Sequence, residues 1–274
     1  MSACEGIGWS GKSPSPRWAG RGVGGWREAL DSSGIKLALA LALAGGCAAP
    51  SALTDRSDVI RRIVASTVQL RCERPGGVRR AASGVVVASD PRSGRSWILT
   101  ARHFVEPPAT QNVYVLVPGD RERKPGVVGA RSAELDLVLV EVRALALPPV
   151  RFKEAVRLGD EVWVVSVPWG RRQTLVSAVI SQLASEEGDV VAVEGPPRMV
   201  DASVSYGSSG GGVYDAGAGE LVGVVEGYRT ARVTIPETPG RTLEVPVPGE
   251  TTLVPARAVL RFLRSSGLAP FLAR

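Results

Sequence analysis

From residue 66 onward, the chain is built of short apolar runs, rich in valine, that are separated by glycine, proline and aspartate. Runs of this length, with frequent turn residues and little helical periodicity, predict an antiparallel sandwich or barrel. The proline-rich stretch 144–153 divides the runs into two sets. The predicted strands of the first set are 66–72, 82–89, 95–100, 112–117, 126–131 and 136–142. Those of the second set are 161–167, 173–183, 189–195, 198–204, 220–227 and 251–255. We therefore predict an all-β chain with two six-stranded antiparallel barrels.

Two segments predict helices. The stretch DVIRRIVAS begins with Asp58, a residue type that caps helix N-termini, and PARAVLRFLRSS at 255–266 has helical periodicity. We divide the chain into five consecutive segments. A leader spans 1–46, a linker 47–57, the first barrel 58–150, the second barrel with its C-terminal helix 151–266, and a tail 267–274.

The apolar run IKLALALALAGG at 35–46 has the length of a signal peptide and is too short to cross a bilayer comfortably. Basic residues precede it, and Cys47 follows the small residues Ala44-Gly45-Gly46. This arrangement resembles the lipobox of bacterial lipoproteins, which implies cleavage before Cys47 and lipidation of its thiol. A plain cleavable signal peptide and a small apolar anchor are the alternatives. We expect an exported protein of the periplasm or cell envelope, and the long segment before the run leaves the true translation start open.

Charge and cysteines narrow the function classes. The net charge of +6 comes from scattered arginines without a basic stripe interleaved with aromatics, so we expect no nucleic-acid partner. Cleavage of the leader would remove Cys4, leaving Cys72 as the one unmodified cysteine, predicted to be a buried strand residue. A single histidine and no cysteine pair argue against a metal site built from these residues, and we expect no cofactor.

Three residues carry candidate chemistry. Ser209 lies in Gly-Ser-Ser-Gly-Gly, where glycines allow a hydroxyl and bare N–H groups to face one reacting atom, although a flexible loop would have the same composition. His103, the one histidine, follows a predicted strand and has the side chain suited to activate a serine, although a lone histidine is often a surface residue. Asp136 begins an apolar strand, where a carboxylate needs a partner, and is otherwise a turn residue.

The order His103, Asp136, Ser209 and the stretches around these residues resemble the trypsin-like peptidase family, in its bacterial HtrA (Deg-type) branch. The resemblance covers most of residues 66–262. ASGVVVAS with WILTARHFV resembles the strand pair that carries the base, and ELDLVLVEV resembles the strand of the orienting acid. LGDEVWVVSVPWGRRQTLVSAVIS resembles the opening hairpin of the second barrel, and VPARAVLRFL the closing strand and helix. DASVSYGSSGGGVYDAGAGELVGVV resembles the nucleophile loop and the substrate-pairing strand after it.

The resemblance implies Ser209 as nucleophile, His103 as general base and then acid, and Asp136 as the group that orients the histidine. The N–H groups of Gly207 and Ser209 would form the oxyanion hole, with Ser208 between them shaping the loop. The substrate pocket would be formed by Ser203, Tyr206, Val225, Glu226 and Gly227. The chain ends soon after its last helix, so no PDZ domain is expected.

The predicted function is a serine endopeptidase that cleaves peptide bonds of exported or envelope proteins through an acyl-enzyme. Because Ser203 is not acidic, cleavage is expected after small or medium apolar residues. The segment 232–249 is predicted as an extra hairpin, and whether it covers the cleft is left open. The alternatives are a catalytically silent trypsin-like fold that binds envelope proteins, an exported structural barrel, and an esterase. The strand–elbow–helix context of α/β-hydrolases is missing around Ser209.

Overall fold

The structure is a computed structural model that describes residues 55–77, 79–107, 111–184, 193–234 and 242–273. The predicted leader, most of the linker and Cys47 lie outside these residues. Within them, no helix combines the length and apolar composition that a membrane crossing requires.

The first helix, α1, spans Arg56–Ala65 and packs Val59 and Ile63 into the core. Its N-cap is Asp55, not Asp58 as predicted, because the Asp55 carboxylate accepts the N–H of Ser57 at 3.0 Å. The N-cap therefore lies three residues earlier than predicted. Asp58 lies in the first turn and pairs with Arg61 instead.

The first six strands close into an antiparallel barrel in the order β1-β2-β3-β6-β5-β4. Their ranges are β1 Thr67–Glu73, β2 Arg79–Asp90, β3 Arg95–Ala101, β4 Asn112–Leu116, β5 Arg123–Arg131 and β6 Leu137–Val142. Alternate residues of these strands fill one core cluster, which includes Leu70, Ile98 and Val140. Cys72 belongs to the same cluster and is buried, as predicted. All six strands of the first set are confirmed within a few residues.

A second closed antiparallel barrel has the order β11-β14-β13-β12-β8-β9. The remaining ranges are β7 Val156–Arg157, β8 Glu161–Ser166, β9 Thr174–Leu183, β10 Glu194–Gly195, β11 Pro197–Val200, β12 Gly212–Asp215, β13 Leu221–Thr234 and β14 Thr242–Pro255. The predicted all-β architecture of two six-stranded barrels is thus confirmed.

One strand of the second barrel was predicted wrongly. Residues 189–192 of the predicted strand 189–195 lie outside the described residues, and β10 pairs only with the two-residue β7. The sixth barrel strand is β12, which the sequence pattern left inside the nucleophile loop. A four-residue strand between glycines is too short to show an alternating pattern, and its pairing with β8 and β13 is a tertiary feature.

The strands β13 and β14 extend beyond the barrel as a two-stranded ribbon. Their described pairing runs from Gly223↔Pro255 out to Thr234↔Thr242, so the predicted hairpin within 232–249 is present. Most side chains on the described part of the ribbon are exposed.

The two barrels share a core, and the chain end packs on it. Val85 and Leu99 of the first barrel lie in one apolar cluster with Val165 and Tyr214 of the second. The C-terminal helix, α2 at Ala256–Ser265, adds its apolar face to this cluster. The segment predicted as a tail contains a short 3-10 turn at Ala269–Phe271, whose phenylalanine ring lies 5.0 Å from that of Trp97 on β3.

Candidate active site

His103 lies in a short 3-10 turn, Arg102–Val105, directly after β3. The turn is anchored by burial of the two apolar residues that follow the histidine, while the His103 side chain stays 52% exposed. The Arg80 guanidinium of β2 also donates hydrogen bonds to the carbonyls of His103 (3.2 Å) and Glu106 (2.7 Å). His103 is therefore held at a fixed position with its ring exposed.

Asp136 precedes β6 and contacts His103 twice. Its Oδ1 accepts the His103 backbone N–H at 2.9 Å, and its Oδ2 lies 2.5 Å from the ring Nδ1. The side-chain hydrogen bond to Asp136 raises the pKa of His103 above 6.5, against the opposing effect of burial. Burial alone would raise the pKa of Asp136, but the hydrogen bonds from His103 outweigh burial and lower it.

These directions fix the tautomer of the histidine. An ionised carboxylate only accepts hydrogen bonds, so the proton between the two side chains belongs to Nδ1 of His103. The other ring nitrogen, Nε2, is then the acceptor that a general base requires.

The loop before β12 carries Ser209 between two glycines in the left-handed region. Gly207 has φ +89° and Gly210 has φ +81°. A Cβ at Gly210 would collide with the carbonyl oxygen of Ser83 and the hydroxyl of Thr100, both in the first barrel. Glycine is therefore required at Gly210 both for its conformation and for the close approach of the two barrels.

The backbone N–H groups of this loop fall into two classes. Those of Ser208, Gly210 and Gly211 donate to carbonyls of the protein, at 2.8–3.0 Å. The N–H groups of Gly207 and Ser209 donate to no acceptor among the described residues. Two unpaired donors, one on Ser209 itself and one on the residue two positions before it, are the kind of backbone N–H pair that an oxyanion hole uses. The Ser208 hydroxyl accepts from the Ser166 hydroxyl at 3.2 Å and is buried, so it faces away from the cleft.

His103 and Ser209 line one cavity of about 460 Å³ at the junction of the barrels. The other described lining residues are Arg80, Ala81, Ala82, Phe104, Tyr206, Gly207, Glu226, Gly227 and Tyr228. The hydroxyl of Ser209 makes no hydrogen bond to another described residue.

Of the five residues predicted to form the substrate pocket, the structure brings three to this cavity: Tyr206, Glu226 and Gly227. Ser203 is exposed outside the lining. Val225 is buried in the barrel core, where its carbonyl accepts the N–H of Gly210 at 2.8 Å and so holds the nucleophile loop.

Ser83 on β2 is a residue of the site that sequence reasoning missed. Its hydroxyl donates to the carbonyl of Gly207 at 2.8 Å and accepts the N–H of Val167 at 2.7 Å. Its own N–H donates to the carbonyl of Ser209 at 3.0 Å. The sequence did show a serine inside a predicted apolar strand, and a serine that is buried there needs hydrogen-bond partners.

No three histidine, cysteine, aspartate or glutamate side chains of the described segments lie close enough together to hold a metal ion. The site is built from a serine, a histidine–carboxylate pair and backbone donors.

Comparisons with known proteins agree with this geometry. A family model described as "Trypsin-like peptidase domain" matches residues 82–224, more than half of the 274-residue chain. The chain is 27% identical over 157 residues to the "Probable periplasmic serine protease do/HhoA-like" of Haemophilus influenzae. It is 25% identical over 145 residues to the "Periplasmic pH-dependent serine endoprotease DegQ" of Escherichia coli. The matches span 56% and 52% of this chain but only 32% and 30% of those relatives.

Solved structures share the fold. The serine endoprotease of Yersinia pestis superposes with a TM-score of 0.58 at 21% identity, over 80% of this chain and 68% of that one. An inactive form of Rv3671c from M. tuberculosis superposes with a TM-score of 0.56 at 22% identity, over 80% of this chain and 94% of that one. On the family match and the two-barrel fold together, this chain belongs to the trypsin-like peptidase domain family, and it resembles the bacterial HtrA-type members of that family.

Proposed function

We propose that this chain is a serine endopeptidase. The observation that carries the proposal is one cavity that joins Ser209, two unpaired N–H donors and a histidine already bonded to a carboxylate. The relatives are themselves named serine proteases, although the chain spans only about a third of the length of the curated ones.

In the proposed mechanism, each group has a defined role. Nε2 of His103 takes the proton of the Ser209 hydroxyl while Oγ of Ser209 attacks the substrate carbonyl carbon. The oxyanion so formed accepts hydrogen bonds from the N–H groups of Gly207 and Ser209. When the C–N bond breaks, His103 gives its proton to the leaving amine, and an acyl-enzyme remains. A water molecule, deprotonated by the same histidine, then releases the acyl group. Asp136 stays ionised and stabilises the imidazolium.

A fluorophosphonate probe tests this proposal, because it reacts with a serine only when a base activates the hydroxyl. The full chain is expected to be labelled at Ser209, and Ser209→Ala and His103→Ala are expected to lose labelling. The matched control is Ser93→Ala, which replaces an exposed serine on the β2–β3 turn. This variant is expected to be labelled to the same extent as the parent chain.

One observation favours the alternative of a catalytically silent binding fold, namely that Ser209 has no hydrogen bond to His103. The same experiment decides between the two functions. An unlabelled, folded parent chain that cleaves no peptide would refute the peptidase.

We also propose an envelope location with lipid anchoring through Cys47. The support is the leader 35–46, the cysteine that follows it, and the periplasmic location in the names of the relatives. The substrates are then exported or envelope proteins. The proposed cleavage after small or medium apolar residues is supported by the lack of a buried carboxylate in the described lining, where Glu226, the one carboxylate, is exposed.

A further inference from the structure

A second cavity, of about 220 Å³, adjoins the active-site cavity on the side of the first barrel. It is lined by three arginines, Arg71, Arg79 and Arg80, and by the rings of Trp169 and Tyr206. Two of these residues, Arg80 and Tyr206, also line the active-site cavity. The two cavities therefore form one continuous surface. We name the second one the arginine pocket.

The charge of the arginine pocket is only partly compensated. None of its described lining residues is acidic. The Arg71 guanidinium makes no hydrogen bond or ion pair with another described residue. Arg79 has one carboxylate nearby, that of Glu73 at 3.8 Å, and Glu73 lies closer to Arg123, at 3.1 Å. The Arg80 guanidinium instead donates to the carbonyls of His103 and Glu106. Arg71 has no carboxylate partner among the described residues and Arg79 shares one with Arg123, so an anion bound beside Arg71 and Arg79 would lower the repulsion between their guanidinium groups.

The aromatic side of the pocket is exposed. Trp169 is 63% and Tyr206 49% exposed, and their ring centroids lie 5.4 Å apart. The Trp169 backbone has φ +57°, rare for a residue with a side chain, and its N–H donates to the Tyr206 carbonyl at 2.7 Å. The backbone thus holds the Trp169 side chain exposed to water, although burial of the ring would be more favourable in free energy. Exposed aromatics beside arginines are typical of the residues that dominate binding at protein interfaces.

The position of the arginine pocket indicates which part of a substrate reaches it. By the resemblance to trypsin-like peptidases, the acyl part of the substrate pairs with the strand that contains ELVGVV, which is β13, the second strand after the nucleophile loop. The start of β2, with Arg80 and Ala81, lines the active-site cavity together with Glu226, Gly227 and Tyr228 of β13, and Arg80 and Ala81 also line the arginine pocket. A chain that pairs with β13 before the cleaved bond therefore leaves the cavity over β2, toward the arginine pocket.

We propose that the arginine pocket binds a carboxylate of the substrate, from an aspartate or glutamate that follows the cleaved bond within about three residues, since an extended chain advances about 3.3 Å per residue. The proposal rests on the proposed peptidase function and adds a preference to it. This preference concerns the leaving-group side of the substrate and is independent of the apolar preference before the bond.

The test measures binding without chemistry. The full chain carrying Ser209→Ala is titrated with two fluorescent peptides. The peptides differ only in having glutamate or glutamine within three residues after the bond that the parent chain would cleave. We expect the glutamate peptide to bind about tenfold more tightly at low salt, and the advantage to shrink as salt screens the partly exposed charges. Arg71→Gln and Arg79→Gln are each expected to reduce the advantage, and the double variant to abolish it. Affinity for the glutamine peptide should stay unchanged, which also shows that the variants fold.

Arg257→Gln on α2, which removes an exposed arginine outside both cavities, is the matched control and should keep the full advantage. Equal affinity for the two peptides, no saturable binding of the glutamate peptide, or an advantage that survives the double variant would each overturn the proposal. Because Ser209→Ala cannot form an acyl-enzyme, this outcome is separate from the probe experiment. A folded chain that prefers the glutamate peptide but is not labelled would refute the peptidase and keep the pocket.

Discussion

At the residue scale, the hydrogen bond between His103 and Asp136 gives activity and stability opposite pH dependences. The His103 pKa is raised above 6.5 in the folded chain, so the stabilisation from protonated His103 beside Asp136 is complete below pH 6.5. That stabilisation is lost as the pH rises through the folded pKa. A general base has to be unprotonated, so activity appears over the same range in which this stabilisation disappears.

We therefore expect the acidic limb of kcat/KM to have its midpoint above pH 6.5. Asp136→Asn removes the charge that raises the pKa of His103 and favours the wrong tautomer. This variant should move the midpoint down and lower kcat about 10⁴-fold. The measurement is a pH profile of peptide hydrolysis for both chains. A parent midpoint at or below the ordinary histidine pKa, or an unchanged midpoint in the variant, would contradict the assignment of Asp136.

At the element scale, β2 connects the two barrels at the nucleophile loop. Ser83 bonds through its hydroxyl and its N–H to three backbone groups of the second barrel, those of Val167, Gly207 and Ser209. One of these is the peptide carbonyl of Gly207, next to a proposed oxyanion donor. The strand thus sets the position of the loop as well as closing the first barrel.

Ser83→Ala should lower both stability and turnover. It leaves the buried N–H of Val167 and the carbonyl of Gly207 unpaired, at a cost of about 1–3 kcal/mol each. A loosened Gly207 peptide should lower kcat more than it raises KM, because the oxyanion contact is made in the transition state. Thermal unfolding and peptide kinetics check both effects.

The matched control is Ser89→Ala on the same strand. Ser89 also bonds through its hydroxyl, to Arg95 and Ser96, away from the nucleophile loop. We expect it to lower the melting temperature with kcat unchanged. If Ser83→Ala behaves in the same way, Ser83 is structural and does not position the oxyanion hole.

At the scale of the whole molecule, the described peptidase domain has its active-site cavity at the junction of the barrels, and the proposed anchor lies before α1. Two or more acyl chains give stable membrane attachment, whereas one gives only reversible binding. A lipidated Cys47 would confine the enzyme to the membrane surface and to the substrates that reach it there.

Labelling of producing cells with a clickable fatty acid tests the anchor. The protein is expected in the membrane fraction with label attached, and Cys47→Ser should lose the label and leave that fraction. Cys4→Ser removes a cysteine that lies in the proposed leader and should change neither. Retention of label by Cys47→Ser would show that acylation occurs elsewhere, and retention in the membrane fraction without label would show that the leader is an ordinary anchor.

The sequence was sufficient for the barrels because their signal is local. Strands such as β3 and β6 bury alternating or continuous apolar runs, and this pattern is visible in a window of a few residues. Prediction from the local pattern failed for β12, because four residues are too few to show an alternating pattern. It also failed for the N-cap of α1, because Asp55 and Asp58 are the same residue type and only the hydrogen bond in the structure distinguishes them.

Residue order alone was therefore enough to predict the two-barrel fold, and it supplied one histidine, one suitable carboxylate and one glycine-flanked serine as candidate chemistry. How these groups are held became visible only in the folded chain. Ser83 bonds to Gly207, Arg80 bonds to the turn of His103, and the ring of Trp169 packs at a tilt against that of Tyr206. The partners in the first two contacts are on separate elements, and Ser83 lies 124 positions from Gly207. No local pattern encodes such contacts, because the first arises from how the two barrels pack, and the other two arise where segments distant in sequence meet within one barrel.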